Sequence, residues 1–229
     1  MLSKVKTMEA LDIIHEMFPD AEAELNYTND FELTIAVLLS AQATDVSVNK
    51  VTDTLFQKYK TPEDYLSVPL EELENDIKSI GLYRTKAKNI QKLCRDLIDK
   101  FNGEVPTTYE ELITLAGVGR KTANVVLSVA FDTPRIAVDT HVERVSKRLG
   151  IARWKDNVNQ VEETLMRKIP ENRWRKIPEN RWSKAHHQLI FFGRYHCLAR
   201  NPKCFECPLL YMCREGQKRE RNLLKQKAK

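Results

Sequence analysis

The chain has 229 residues, a formal net charge of +5 at pH 7, and 42% hydrophobic against 30% charged residues. This balance is typical of a globular protein and excludes a disordered one, and the length allows one large domain or two modest ones. No apolar run approaches the roughly 20 residues of a membrane helix, and the N-terminal MLSKVKTMEALDII lacks the pattern of a leader. We therefore expect a protein of the reducing cytoplasm that lies outside any membrane.

Apolar residues recur at helical spacing along most of the chain, and no segment alternates as a strand does. In chain order, helices are predicted over residues 8–18, 31–39, 46–59, 69–80, 86–101, 109–116, 121–131, 140–149, 158–169 and 183–192. The predicted fold class is all-α.

A glycine-containing turn joins two of these predicted helices in the segment LAGVGRKTA. Gly117 and Gly119 permit backbone dihedrals that other residues resist, so a tight turn leads into a helix that begins near Arg120. The amides of such a turn, together with the positive end of the second helix, can bind a phosphate group. Gly117, Val118, Gly119 and Arg120 are thus candidate phosphate-binding residues, although an ordinary corner between two helices has the same spacing.

Two ionisable residues follow this turn. Lys121 lies in the first turn of the second helix, where the positive end of the helix favours the neutral amine. A neutral amine is a nucleophile that can form a Schiff base, whereas a solvated or phosphate-bound lysine is the commoner alternative. Asp139, in IAVDTH, is a natural N-cap for the next predicted helix. Its carboxylate also suits a general base or the stabilisation of a sugar cation.

Four cysteines, separated by six, two and five residues, crowd one short segment near the C-terminus: Cys197, Cys204, Cys207 and Cys213. Two disulfides suit small secreted domains, and this chain shows no export signal. A zinc site usually pairs two CxxC knuckles, and only Cys204 and Cys207 form one here. Four thiolates on one loop can also hold an iron–sulfur cluster, which the spacing favours over the other two readings.

Two further segments are unusual in composition. Residues 214–229 hold seven Lys or Arg and two Glu, so they are either a basic tail that contacts a phosphate backbone or a solvated terminus. The octapeptide RKIPENRW occupies residues 167–174 and again residues 175–182. Pro170 and Pro178 disfavour one continuous helix, so we interpret the repeat as an enlarged connector without chemistry.

The hairpin LAGVGRKTANVVL, the segment IAVDTHVERV and the cysteine spacing together resemble the endonuclease III family, which are helix-hairpin-helix DNA glycosylases of base excision repair. The likeness extends through FELTIAVLLSAQATDVSVNK and HHQLIFFGRYHC, and so covers nearly the whole chain. It implies two all-α domains with DNA in a cleft between them. The implied domains are a six-helix barrel over 23–133 with the hairpin motif at about 109–131, an iron–sulfur domain over 1–22 and 134–213 that includes the repeat 167–182, and a basic tail over 214–229.

The same resemblance implies the chemistry. Lys121 corresponds to the catalytic lysine and Asp139 to the catalytic aspartate, and the four cysteines correspond to the ligands of a 4Fe–4S cluster. The implied partner is double-stranded DNA that contains oxidised pyrimidines, such as thymine glycol, or abasic sites. Lys121 would displace the damaged base and form a Schiff base, which allows β-elimination to nick the strand. The expected protein is a monomer, associated with the nucleoid if the cell is bacterial.

Further residues match the family's DNA contacts. Gln42 is expected to fill the gap left by a flipped base, with a polar helix cap as the alternative. Leu82 is expected to part the opposite strand, with a simple core residue as the alternative. The remaining implied contacts are Asp45 and His141 in the base pocket, and Arg200 and Lys203 on phosphates within the cysteine loop.

Four departures from the family pattern and two alternative functions remain at this stage. Ala116 stands where a proline is common, Asp132 where the family often has a glycine and Asn201 at an often basic position, and the octapeptide repeat is the largest departure. The chain could be a noncatalytic DNA-binding protein whose cluster senses redox state. It could also be a glycosylase with another lesion preference, such as mismatched thymine.

Overall fold

The computed structural model describes residues 1–133, 135–169 and 181–227, and all regular structure within them is helical. The α-helices are α1 (Lys4–Met17), α2 (Asp30–Leu39), α3 (Asp45–Lys58), α4 (Pro62–Leu66), α5 (Leu70–Asp76), α6 (Tyr83–Phe101), α7 (Tyr109–Leu112), α8 (Arg120–Ala130), α9 (Thr140–Leu149), α10 (Val158–Lys168), α11 (Arg181–Phe191) and α12 (Arg214–Lys227). A π-helical turn (Phe192–His196) and a 3₁₀ turn (Cys204–Glu206) lie between α11 and α12. The all-α prediction is confirmed. No helix in the described ranges is long and apolar enough to cross a membrane.

The chain forms two compact units. The central unit comprises Ala23–Thr133, and the terminal unit comprises Met1–Glu22 with the described residues from 135 onward. Each unit has its own hydrophobic core.

Helix α2 is the centre of the central unit. Every residue from 31 to 39 is buried, and all of them except Glu32 and Thr34 are apolar, as in a core helix. The Asn29 side chain accepts a hydrogen bond from the backbone of Glu32 and begins the helix. Helix α6 packs its apolar stripe onto this core through Ile90, Leu93 and Leu97.

The terminal unit joins the two ends of the chain. Leu11 and Ile14 of α1 pack in one core with Leu165 of α10 and Leu189 of α11. The buried ammonium of Lys168 donates to the carbonyl oxygens of Leu2, at 2.6 Å, and Ile151, at 2.8 Å. These bonds tie the N-terminus to the end of α10.

Both copies of the octapeptide contribute to the described structure. The first copy supplies Lys168 and Ile169, and the second supplies Trp182, whose indole N–H donates to the carbonyl oxygen of Ile169 at 2.7 Å. Residues 170–180, which include Pro170, Pro178 and most of the predicted connector, lie outside the described residues, whereas its ends belong to α10 and α11. The Trp182 bond shows that the end of α10 and the start of α11 are adjacent in space.

Five helices differ most from the sequence prediction. Helix α1 begins at Lys4 rather than at residue 8, and helix α5 ends at Asp76 rather than at residue 80. Helix α4 was not predicted because its five residues are too few for periodicity, and it forms through a capping box between Thr61 and Asp64. Helix α7 ends at Leu112 rather than at residue 116. Residues 214–227 form helix α12 instead of an irregular tail. Its few apolar residues gave no periodic signal, but charged pairs such as Glu215 with Arg219 support it at 2.8 Å.

Deletion of residues 175–182 should leave the fold intact. Because the copies are identical, the shortened chain keeps Lys168, Ile169 and a tryptophan directly before Ser183. The melting temperature is expected to change by less than about 4 °C, which corresponds to under roughly 1 kcal/mol. Thermal unfolding followed by circular dichroism measures this, with Lys168→Met as a destabilised reference. A deletion variant that unfolds like Lys168→Met would show that the second copy is part of the core.

Candidate active site and cluster site

The hairpin before α8 presents its backbone to solvent while one side chain anchors it. Gly117 has φ +77°, and a Cβ there would meet the Cβ of Asn89 and Cδ1 of Leu38, both at 3.0 Å, so only glycine fits. Val118 is buried in the core of the central unit. Gly119 is the N-cap of α8 and has no side-chain cap, and the space beside its Cα is open. The first N–H groups of α8 therefore remain accessible to an anion.

Lys121 is the second residue of α8 and is exposed, as is Arg120 before it. The buried Ala123 and Asn124 hold the helix against the core. Lys121 therefore places its amine beside the open hairpin, on a rigid element of the central unit.

Asp139 lies in the terminal unit and is the N-cap of α9, as its sequence position indicated. Its Oδ1 accepts hydrogen bonds from the backbone N–H of His141 and of Val142, both at 2.8 Å. Its Oδ2 lies 2.9 Å from Nδ1 of His141. The carboxylate is 15% exposed, so it is fixed in orientation yet still reaches the surface.

Gln42 and Leu82 have the same uncommon conformation. Both have positive φ, 56° for Gln42 and 61° for Leu82, in the left-handed region that non-glycine residues rarely adopt. Both are exposed, and Leu82 keeps 58% of its surface in solvent. Leu82 is therefore not a core residue, and Gln42 lies beyond the Ser40 C-cap of α2 rather than at a cap position.

The remaining predicted contact residues lie in both units. Asp45 is the first residue of α3 and is half-buried, close in sequence to Gln42. His141 is half-buried beside Asp139. Arg200 and Lys203 are both exposed in the loop between Cys197 and Cys204.

All four predicted cysteines line one cavity of the terminal unit, together with Phe192, His196 and Gly216. The π-helical turn before Cys197 directs the chain into this cavity, and such turns occur often at functional sites. A Cβ on Gly216 would meet Cδ1 of Leu210 at 2.9 Å and the sulfur of Cys213 at 3.5 Å, so the loop closes tightly there. Nε2 of His196 is buried at this cavity without a hydrogen-bond partner.

Burial makes three of these thiols hard to ionise by themselves. It raises the pKa of Cys207 to about 11 and also raises the pKa of Cys204 and of Cys213. A bound cation is the usual means of stabilising such thiolates. In the described part of the chain, which includes all four cysteines, no three His, Cys, Asp or Glu side chains are grouped to hold one metal ion.

Two arginines of α9 hold the cysteine loop, and sequence reasoning missed both. The guanidinium of Arg148 is buried and donates to the carbonyl oxygens of Leu198, at 2.6 Å, and Ala199, at 2.9 Å. It also lies 3.5 Å from the sulfur of Cys197. Arg144 donates to the carbonyl oxygens of Gly193 and Cys197. Nothing in the sequence separates these arginines from surface cations, because their partners are backbone atoms about fifty residues away.

Comparison with known proteins agrees with this geometry. A model of the HhH-GPD superfamily of base excision DNA repair proteins matches residues 35–171. Endonuclease III of Bacillus subtilis (strain 168) is 64% identical over 221 residues, which cover 96% of this chain and 97% of that protein. Endonuclease III of Escherichia coli (strain K12) is 48% identical over 217 residues, which cover 95% and 99%. A solved structure of a trapped endonuclease III–DNA covalent intermediate, an estranged-adenine complex, has a TM-score of 0.89 and 63% identity, covering 96% of this chain and 100% of that one.

The chain therefore belongs to the HhH-GPD superfamily of base excision DNA repair proteins. Its likeness to endonuclease III over nearly the whole length is confirmed, and it is a base excision repair enzyme, a DNA glycosylase with lyase activity. The alternative of a noncatalytic DNA-binding redox sensor is set aside on the same findings.

Substitution at Asp139 should separate its capping role from catalysis. Asp139→Asn keeps an oxygen for the N–H groups of His141 and Val142, so its stability should stay close to that of the unchanged protein. Asp139→Ala loses the cap and should cost about 0.5–2 kcal/mol. Both variants should lose activity on a lesion-containing duplex by about 10²–10⁴-fold. Thermal unfolding and single-turnover base release measure the two effects, and full activity in the Asn variant would leave Asp139 as a cap alone.

Proposed function

We propose that this enzyme removes oxidised pyrimidines from duplex DNA through a covalent adduct with Lys121 and then nicks the strand at the abasic site. The observation that carries the proposal is an exposed lysine at the start of α8, directly beside a hairpin whose amides are open to phosphate. The trapped covalent DNA intermediate of an endonuclease III at 63% identity supports the same chemistry.

Binding begins with the phosphate backbone and ends with an extruded nucleotide. The hairpin amides from Gly117 to Arg120 hold a phosphate near the lesion, which fixes the register without reading sequence. Arg200 and Lys203 extend this contact from the cysteine loop. The damaged nucleotide then leaves the stack, which costs a few kcal/mol and least where the base is damaged. Gln42 occupies the vacated position, and Leu82 parts the opposite strand.

Lys121 then carries the covalent chemistry. Its neutral amine forms a bond to the anomeric carbon, and the bond from that carbon to the base breaks, with the electron pair leaving on the base. Opening of the sugar ring gives a Schiff base. Loss of a proton from the adjacent carbon expels the 3′ phosphate by β-elimination, and water finally releases Lys121. Asp139 opposes the positive charge that develops on the sugar, since its carboxylate is fixed near the surface by three contacts.

Asp45 and His141 are proposed to line the pocket for the extruded base. The resemblance to the endonuclease III family leads us to expect that a monomer carries the activity. Because the proposed substrate is DNA, the enzyme is expected in the cytoplasm, associated with the nucleoid if the cell is bacterial.

The four cysteines are proposed to hold a 4Fe–4S cluster, and their surroundings fit it. All four cysteine side chains line the same cavity of the terminal unit, and four thiolates are the ligand set that a 4Fe–4S cluster takes. When bound, the cluster supplies a fixed local charge and a cross-link of the loop. Arg148 and Arg144 hold the loop carbonyls in place around it.

Borohydride reduction should trap the Schiff base as a stable protein–DNA adduct. We expect the adduct with a thymine-glycol duplex and expect none with Lys121→Gln, which keeps a polar, slightly shorter side chain but lacks an amine. Arg120→Gln is the matched control, since it removes the neighbouring cation and leaves the nucleophile. It should weaken DNA binding yet form the adduct at saturating protein concentration. An adduct of normal yield with Lys121→Gln would exclude Lys121 as the nucleophile.

The same assay addresses lesion preference. A thymine-glycol duplex should release its base faster than an otherwise identical duplex with a thymine–guanine mismatch. The reverse order would favour the mismatch-directed alternative.

Metal analysis should find about four iron atoms per chain and broad visible absorption. Cys204→Ser should lose most of both. Cys94→Ala is the control, because Cys94 lies buried in the central unit and burial raises its pKa to about 12, so it should keep the iron. A colourless protein with one zinc ion would contradict the cluster assignment.

A further inference from the structure

A buried ammonium lies between the two exposed loops of the central unit that carry Gln42 and Leu82. Lys86, in the first turn of α6, is 4% exposed. Its Nζ donates to the carbonyl oxygen of Leu39 at 2.9 Å and to that of Ala41 at 2.7 Å. These carbonyls end helix α2, where the negative end of the helix dipole favours a cation.

The side chain of Lys86 links the loop of Gln42 to the start of α6, which directly follows Leu82. Ala41, which accepts from the ammonium of Lys86, directly precedes Gln42. The backbone N–H of Lys86 donates to the carbonyl oxygen of Leu82 at 3.0 Å, which is the first helical bond of α6 and does not depend on the side chain. The loops also approach each other directly, because a Cβ on Gly81 would lie 3.9 Å from the carbonyl oxygen of Gln42.

Both loops need such an anchor because both hold a strained residue. Gln42 and Leu82 have φ values of 56° and 61°, and neither is a glycine. Left-handed residues persist only where the surrounding structure determines the backbone. Both side chains are exposed and cannot supply that constraint through packing.

A buried lysine is an uncommon way to end a helix. Burial lowers the pKa of Lys86, so the charged form is kept at a cost that an exposed lysine does not have. The two carbonyl contacts offset this cost and are directed at the loop that begins with Ala41. An aliphatic residue of similar volume would fill the same space and would leave both carbonyls without this donor.

We propose that Lys86 is a positioning residue that sets the relative placement of Gln42 and Leu82 and so couples gap filling to strand separation. This inference rests on the proposed function, in which these two side chains enter the duplex. Lys86 does not contact the DNA or the reacting atoms. It acts through the backbone of the two loops.

The test compares Lys86→Met with Lys92→Met, which removes an exposed lysine from the same helix. Three duplexes are used: one with thymine glycol, one with a preformed abasic site and one undamaged. Extrusion of a paired and stacked base needs both loops, whereas an abasic sugar leaves the duplex at less cost. Lys86→Met should slow release of thymine glycol by roughly 10–100-fold, the range that small misplacement produces. Nicking of the abasic duplex should fall by under about threefold and affinity for undamaged DNA should hold, since phosphate contacts dominate that affinity.

A double-mutant cycle distinguishes positioning from general loss of structure. If Lys86 acts through Gln42, then Gln42→Ala should slow the release of thymine glycol by a smaller factor in the Lys86→Met background than in the unchanged protein. Lys86→Arg, which keeps a cation and hydrogen-bond donors, should restore part of the lost rate. All rates are taken on the fraction that is folded at the assay temperature.

The outcomes separate the two proposals. Failure of the unchanged enzyme to act on thymine glycol would overturn the proposed function. If the unchanged enzyme acts normally on thymine glycol, two results would overturn the role of Lys86 alone. One is that Lys86→Met is slowed equally on the lesion and abasic duplexes. The other is that the effects of the two substitutions in the double-mutant cycle are additive. Normal rates for Lys86→Met would do the same.

Discussion

The functional loops of this enzyme depend on buried cations that donate to backbone carbonyls. Lys86 holds the loop after α2, Arg148 holds the cysteine loop, and Lys168 holds the N-terminus against the end of α10. A buried charge is costly unless hydrogen bonds satisfy it, and each of these side chains donates to at least two carbonyl oxygens. Irregular backbone exposes carbonyls that no helix can satisfy, so a long cationic side chain can pair them from a neighbouring helix. The buried cation is therefore both the source of the desolvation cost and the group that fixes the loop backbone.

This arrangement explains how loops with little packing of their own can be precise. Gln42 and Leu82 project into solvent and have left-handed backbones, so their positions cannot come from a local core. A donor on α6 fixes them to a rigid helix instead. The cysteine loop follows the same rule, because Arg144 and Arg148 both extend from α9 to its carbonyls. A site built on helices in this way is more exact than one on unsupported loops.

The sequence predicted the helices well where they are amphipathic or wholly apolar, as in α2 and α6, because periodicity reports burial. It also identified Asp139 as a cap and Gly117 as a required glycine, since both signals are local in sequence. It did not predict α4 or α12, whose stability comes from a capping box and from charged pairs rather than from an apolar stripe.

The buried cations were missed for another reason. The partners of Lys86 and Arg148 are backbone atoms 45 to 51 residues away, and a backbone carbonyl leaves no mark in the sequence.

Asp132 is an informative intermediate case. The resemblance identified it as a departure from a frequent glycine, and its φ of 46° shows the backbone that explains the glycine preference. Aspartate tolerates this conformation better than most residues, so the departure is accommodated.

The geometry of Asp139 favours one of its two possible catalytic roles. A general base needs a free oxygen within reach of a proton, whereas an electrostatic stabiliser needs a fixed charge. Oδ1 is already engaged with two backbone N–H groups, and Oδ2 lies beside the imidazole of His141. The position at the N-terminus of α9 also stabilises the charged form. A carboxylate that is held by its capping hydrogen bonds can therefore stabilise a sugar cation, but it is less suited to accepting a proton. The capping role and the proposed catalytic role coincide at this residue because both require a charged carboxylate that does not move.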